Sequence, residues 1–126
     1  MQFWMALAVF CGAGVGALAR WAATLRFNPV WEPLPLGTLL VNLAGGYLVG
    51  VAVVVFGHHA DWPAEWRLAA ITGFLGGLTT FSTFSSEVVG QLLRGEAGLA
   101  LLTAGLHLAG SLLLTWLGIL TARAFI

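Results

Sequence analysis

The 126-residue chain has ten charged residues, five arginines against five acids, and no lysine; 60% of its residues are apolar and only 8% charged. A soluble domain carries roughly 25% charged residues, so this chain could not cover a water-facing surface. A formal net charge of zero excludes a nucleic-acid partner, which needs a basic face for phosphates, and a single Cys11 excludes a disulfide scaffold. The class that remains is an all-α integral membrane protein.

Residues 1–19, 33–60, 68–86 and 97–122 contain no Asp, Glu, Lys or Arg. Each has room for a helix of about 20 residues, the length that crosses a hydrocarbon layer roughly 30 Å thick. The expected architecture is one domain over 1–126 with four transmembrane helices, at about 3–20, 36–57, 68–86 and 97–122. In the first, Ala17-Leu18-Ala19 has the small residues of a leader cleavage site. No Lys or Arg precedes the apolar run, so the segment reads as a span. Cys11 within it reads as a packed, inert thiol. A connector follows from Trp21 to Pro35, which Pro29, Pro33 and Pro35 are expected to keep non-helical.

The second span sets Thr38, Asn42, Gly46 and Gly50 at four-residue steps, hence on one face. The glycines read as close helix packing. Asn42 has two donors and an acceptor to satisfy at a depth where polar groups are costly, which marks it as a pathway residue, with interhelical glue as the alternative. The link that follows contains His58 and His59, adjacent and without metal-ligand spacing, so they read as interfacial.

The third span contains Gly73-Phe74-Leu75-Gly76-Gly77-Leu78-Thr79-Thr80-Phe81-Ser82-Thr83-Phe84-Ser85-Ser86. Glycines followed by a run of hydroxyl residues are poor material for a lipid-facing helix. Counting from Arg67 and Glu87 at about 1.5 Å per residue puts Gly76 and Gly77 near the bilayer midplane. A helix broken near 76–79 would free backbone carbonyls, tolerated there only against protein or an ion, and carbonyl oxygens suit a hard monovalent cation. The alternative is a continuous helix with glycines for packing. Phe81 and Phe84, at i and i+3, share a face beyond the break. Ring edges turned to a path suit a small anion, ring faces a cation, and two packing phenylalanines need neither.

The fourth span aligns Thr103, His107, Ser111 and Thr115 at successive four-residue steps. His107 either lines a pathway or bonds to a neighbouring helix. Trp4, Trp21, Trp31, Trp62, Trp66 and Trp116 fall mostly near span ends, as an interfacial belt requires. Orientation is set by arginine and lysine asymmetry. Four spans put Arg67 and Arg123 on one side and Arg20, Arg26 and Arg94 on the other. So slight a bias predicts dual topology, with copies inserting both ways and pairing antiparallel; the alternative is a single orientation decided by a partner or by the weak bias itself.

Gly76-Gly77-Leu78-Thr79-Thr80-Phe81-Ser82-Thr83-Phe84-Ser85 resembles the signature of the small fluoride channels, the Fluc or CrcB family. Leu36-Gly37-Thr38-Leu39 with Val41-Asn42 is similar to that family's second-helix motif, and Gly16-Ala17-Leu18-Ala19-Arg20-Trp21 to the end of its first helix. The resemblance implies an antiparallel, dual-topology homodimer in a bacterial inner membrane, with two pores that passively export cytoplasmic fluoride. It also implies a structural sodium ion at the dimer centre, held by the backbone carbonyls of Gly76 and Thr79. Phe81, Phe84 and Asn42 match pore residues, and Arg20 and Glu87 match charged residues at the vestibule or pore end. Thr38, Thr83, Thr103, His107 and Ser111 complete the expected polar lining. Thr103 departs from the Tyr, and His107 from the Ser or Asn, usual in that family.

Fluoride is small and tightly hydrated, so a pore must offer donors in place of water. A small dual-topology drug exporter is the nearest rival, but its proton exchange needs a membrane-embedded carboxylate. The first span has none, and Glu87 sits at a span end. A non-transporting four-span scaffold would explain the glycines and leave the hydroxyl run unexplained. An enzyme has no nucleophile–base pair or metal cluster on which to rest.

Overall fold

A computed structural model describes residues 2–126, and every regular element in it is helical. Four segments are long and apolar enough to cross a membrane: Phe3–Val30, Leu36–His58, Ala64–Leu93 and Ala97–Phe125.

Helix α1 (Phe3–Phe27) continues through Arg20 into the expected connector and stops at Asn28, where a single 3-10 turn, Asn28–Val30, carries Pro29. Nothing between Trp21 and Phe27 disfavours a helix. Pro29 cannot donate a backbone N–H and restricts the residue before it. Only the part of the connector after Val30 is irregular. Helix α2 (Leu36–His58) starts directly after Pro35.

The third span is composite. It opens as α3 (Ala64–Arg67), widens into a π-helix over Leu68–Leu75, and closes with one α-turn, α4 (Gly76–Leu78). Thr79 (φ −88°, ψ 155°) and Thr80 (φ −148°, ψ 118°) are extended, and α5 (Phe81–Leu93) begins after them. Thr79 closes the first half, its N–H donating to Leu75 O at 3.0 Å and its hydroxyl to the same oxygen at 2.8 Å. Thr80 opens the second half, its Oγ1 accepting from Thr83 N at 3.1 Å as an N-cap. Helix α5 ends on Gly95, whose φ of 76° suits a residue without Cβ. There Gly95 N donates to Leu92 O and Glu96 N to Gln91 O, a Schellman closure. Helix α6 (Ala97–Phe125) then runs about 43 Å at 1.5 Å per residue, longer than the hydrocarbon layer.

Two seams hold the bundle together. Helix α1 lies against the π-helix and α4, and α2 lies against α6, while α5 leans on α6. Both seams are backbone-to-backbone. A Cβ on Gly16 would strike Phe74 O, and one on Gly50 would strike Thr115 O. This is the close packing expected of the glycine stripe in α2, and Thr115 fastens it by donating from Oγ1 to Gly46 O at 2.9 Å. A small apolar cluster, Val41, Leu75 and Leu78, fills the centre.

Large apolar side chains such as Phe10, Leu18 and Leu101 face outward along the spans, as lipid-facing residues do. Cys11 is among the exposed residues of α1, so it is not the packed thiol expected; the buried side of this helix is taken by Gly16. At the link between α2 and α3, His59 stacks on Trp62 with 4.2 Å between ring centroids, and its Nδ1 lies 3.0 Å from Val55 O.

Candidate functional site: a cleft at the interruption of the third span

The extended pair Thr79-Thr80 leaves backbone groups without helical partners, and the chain satisfies them from the side. Asn42, on α2, grips the backbone of Thr80 at both its N–H and its carbonyl. Its Oδ1 accepts from Thr80 N at 2.8 Å and its Nδ2 donates to Thr80 O at 2.9 Å. The same Nδ2 lies 3.0 Å from His107 Nδ1 on α6. Arg20, crossing from α1, donates from Nε to Gly77 O at 2.9 Å. Side chains from three helices thus meet at one irregular segment.

Two further carbonyls are released. In an unbroken helix Gly76 O would accept from Thr80 N and Thr79 O from Thr83 N. Here Thr80 N goes to Asn42 and Thr83 N to Thr80 Oγ1. Gly76 and Thr79 both line an open cleft of about 470 Å³ beside the interruption. Asn42, Phe81, Phe84, His107 and Ser111 line it too, and no charged side chain does. Helix α5 begins at this wall, bringing the positive end of its dipole to the cleft.

The two phenylalanines differ in setting. Phe84 is 7% exposed and lies 4.5 Å from the His107 ring, tilted by 30°, whereas Phe81 is 72% exposed in the single chain. They meet each other edge to face, centroids 5.4 Å apart. Of the other residues singled out from the sequence, Thr83 is tied to Thr80, whose hydroxyl donates to Thr83 Oγ1 at 3.1 Å. Thr103 is fully buried and turns its hydroxyl back to Leu99 O in its own helix. Thr38, also fully buried, donates from Oγ1 to Glu87 Oε1 at 2.7 Å, while its N–H donates to Asn28 Oδ1. Thr38, Thr83, Thr103, Arg20 and Glu87 are not among the residues lining the cleft. Glu87 and Thr38 instead form a separate polar contact between α5 and the start of α2.

Thr80 is the hub of this region, and sequence reasoning passed over it in favour of its neighbours. A signal was present, since a threonine directly before a helical stretch is an N-cap pattern. Gln91, 1% exposed with its Oε1 unpartnered among the described residues, was also unmarked.

The profile of the family described as "CrcB-like protein, Camphor Resistance (CrcB)" matches residues 7–119. The chain is 56% identical over 125 residues to a protein of Burkholderia cenocepacia, and 55% identical over 125 residues to proteins of Burkholderia pseudomallei and Burkholderia thailandensis. Each alignment covers 99% of this chain and 98% of the relative, and all three relatives bear the name Fluoride-specific ion channel FluC. With four membrane-length helices, a family match over most of its length and relatives that align from end to end, the chain belongs to the CrcB-like family.

Proposed function

We propose that this protein is a passive, fluoride-selective channel that lets fluoride leave the cytoplasm through a bacterial inner membrane. The observation that carries the reading is the cleft at the interrupted span. Its walls are largely apolar, and among them stand the neutral Asn42 amide, the hydroxyl residues Thr79, Thr80 and Ser111, the His107 imidazole and two aromatic rings, with a helix start beside them and no charged side chain. Such a lining offers partial positive charge in place of fluoride's water without a fixed cation that would hold the ion. Ring edges at Phe81 and Phe84 add to the same field. The shared name of the relatives points to the same ion.

The functional unit in this reading is an antiparallel homodimer with two pores, the interruption of each third span lying near the membrane midplane. Its centre holds a sodium ion between the carbonyls of Gly76 and Thr79 from both copies. The donor set fits such an ion. Both carbonyls have lost their helical N–H partners, and neutral oxygens suit a hard monovalent cation. Once bound, the ion would supply a fixed positive charge between the pores; the rest of the site is made by the chain's own amides and hydroxyls. No reaction is catalysed, and the partners are fluoride, lipid and a second copy.

Purified protein in liposomes loaded with fluoride or with chloride tests the proposal. Fluoride efflux read by an electrode is expected, with chloride retained over the same interval. Equal release of both ions, or fluoride release undiminished when Phe81 and Phe84 are both replaced by Ala, would refute it.

A further inference from the structure

The Asn42 amide uses every hydrogen it has. A backbone N–H can only donate, so the Asn42 atom 2.8 Å from Thr80 N is Oδ1. The other end of the amide is therefore Nδ2, 2.9 Å from a carbonyl, Thr80 O, that can only accept. Nδ2 has one hydrogen left, and its remaining contact is His107 Nδ1 at 3.0 Å. The Thr80 backbone thus fixes the amide and the amide fixes the imidazole: Nδ1 is the acceptor and the ring proton sits on Nε2. Nε2 is buried and has no partner among the described residues, and the residue as a whole is 3% exposed. The ring is held in its polar contacts by Asn42 alone, with Phe84 packed against it.

We infer that His107 is a latch on the pore: it occupies the one Asn42 N–H that is not committed to Thr80, and a permeating anion must take that N–H from it. The inference rests on the channel reading above. The three bonds of Asn42 are not equally exchangeable. Two grip the backbone of a single residue, Thr80, in the extended segment, so surrendering either loosens the junction between α4 and α5. The third goes to a side chain on another helix, and giving it up disturbs only that side chain. A desolvated anion in an uncharged cleft competes well for it, because a charge-assisted hydrogen bond is about twice as strong as a neutral one. Asn42, Phe84, His107 and Ser111 share the cleft, so the exchange needs no change of backbone.

The consequence is that His107 slows fluoride passage, and removing its acceptor speeds it. Fluoride efflux from liposomes is compared at low fluoride for wild type, His107→Ala and His107→Asn. The Asn side chain returns an acceptor oxygen near the position of Nδ1; the Ala side chain returns none. The Ala variant is expected to release fluoride roughly three- to tenfold faster, the equivalent of one net neutral hydrogen bond, and the Asn variant to fall back to within about twofold of wild type. Equal rates for wild type and the Ala variant, or a gain that persists in the Asn variant, overturn the latch. A second measurement needs no variant. In 15N-labelled wild-type protein in bilayers, His107 Nδ1 is expected to be unprotonated and hydrogen-bonded, with a resonance that moves on adding fluoride and not on adding chloride. A protonated Nδ1, or a resonance indifferent to fluoride, overturns it as well. Wild-type liposomes that pass no fluoride would refute the channel reading and the latch with it, whereas wild-type efflux matched by the Ala variant would overturn the latch alone.

Discussion

Arg20 shows how a charge is accommodated in the middle of an apolar helix. Its guanidinium reaches across the seam between α1 and the third span, and Nε donates to Gly77 O, a carbonyl next to the extended residues. Arg20→Leu would leave that carbonyl without its donor in a partly buried setting. The expected cost is about 1–3 kcal/mol of stability, measured by denaturant unfolding of the detergent-solubilised protein. A Leu variant as stable as wild type would mean that the carbonyl finds another partner. At this scale the sequence was informative about which residues are polar where polarity is costly, and less so about what they do. Asn42 and His107 stand out in any reading of the spans. That they bond to each other, and that Asn42 is committed to Thr80, depends on the interruption, which brings a peptide group rather than a helix face toward α2. Thr38 shares the stripe of Asn42, yet its partner is Glu87, because four residues further toward the start of α2 the facing element is α5 rather than the interruption.

At the scale of elements, the four spans follow from the charge-free stretches, while their internal irregularity does not. Hydropathy cannot distinguish an α-turn from a π-turn, since both present apolar side chains all round, so the π-helix over Leu68–Leu75 had no signal in composition. The end of α1 was misplaced for a related reason: Arg20 marks a change in polarity, but a helix ends where its backbone bonding fails, at Asn28-Pro29. The glycines were more legible, because small residues at four-residue steps permit close approach. Two of them separate packing from propensity. A Cβ at Gly50 collides with the backbone of α6, whereas one at Gly105, in the middle of α6, meets nothing within 4 Å. Gly105→Ala is therefore expected to raise stability by about 0.5–1 kcal/mol, the helix-propensity gain, and Gly50→Val to lower the yield of folded protein sharply. Denaturant unfolding and gel filtration in detergent measure the two effects. A stabilised Gly50→Val variant would show that the α2–α6 seam can open without loss.

For the whole molecule, the question is which way it is inserted. Arg67 and Arg123 stand against Arg20, Arg26 and Arg94, and the acids Glu32, Asp61, Glu65, Glu87 and Glu96 contribute little to orientation. A chain so balanced can be tipped by a few substitutions. Asp61→Arg with Glu65→Arg adds positive charge to the link between the second and third spans and favours one orientation. Glu32→Arg with Glu96→Arg adds it to the opposite face and favours the other. Asp61 and Glu32 are exposed, and the Arg94–Glu96 ion pair, 3.2 Å long with both side chains well exposed, contributes little to stability, so neither pair of changes should unfold the protein. If the working unit is an antiparallel pair, each double variant expressed alone has no partner of opposite orientation and confers almost no fluoride efflux. Expressed together, the two variants supply each other's partner, and efflux returns toward the wild-type rate. Efflux from cells loaded with fluoride, read by electrode, distinguishes the outcomes, with membrane-impermeant labelling of a terminal cysteine in a Cys11→Ser background reporting orientation in each strain. Full activity of either oriented variant by itself would mean that a parallel pair or a single chain suffices, and antiparallel assembly would have to be abandoned.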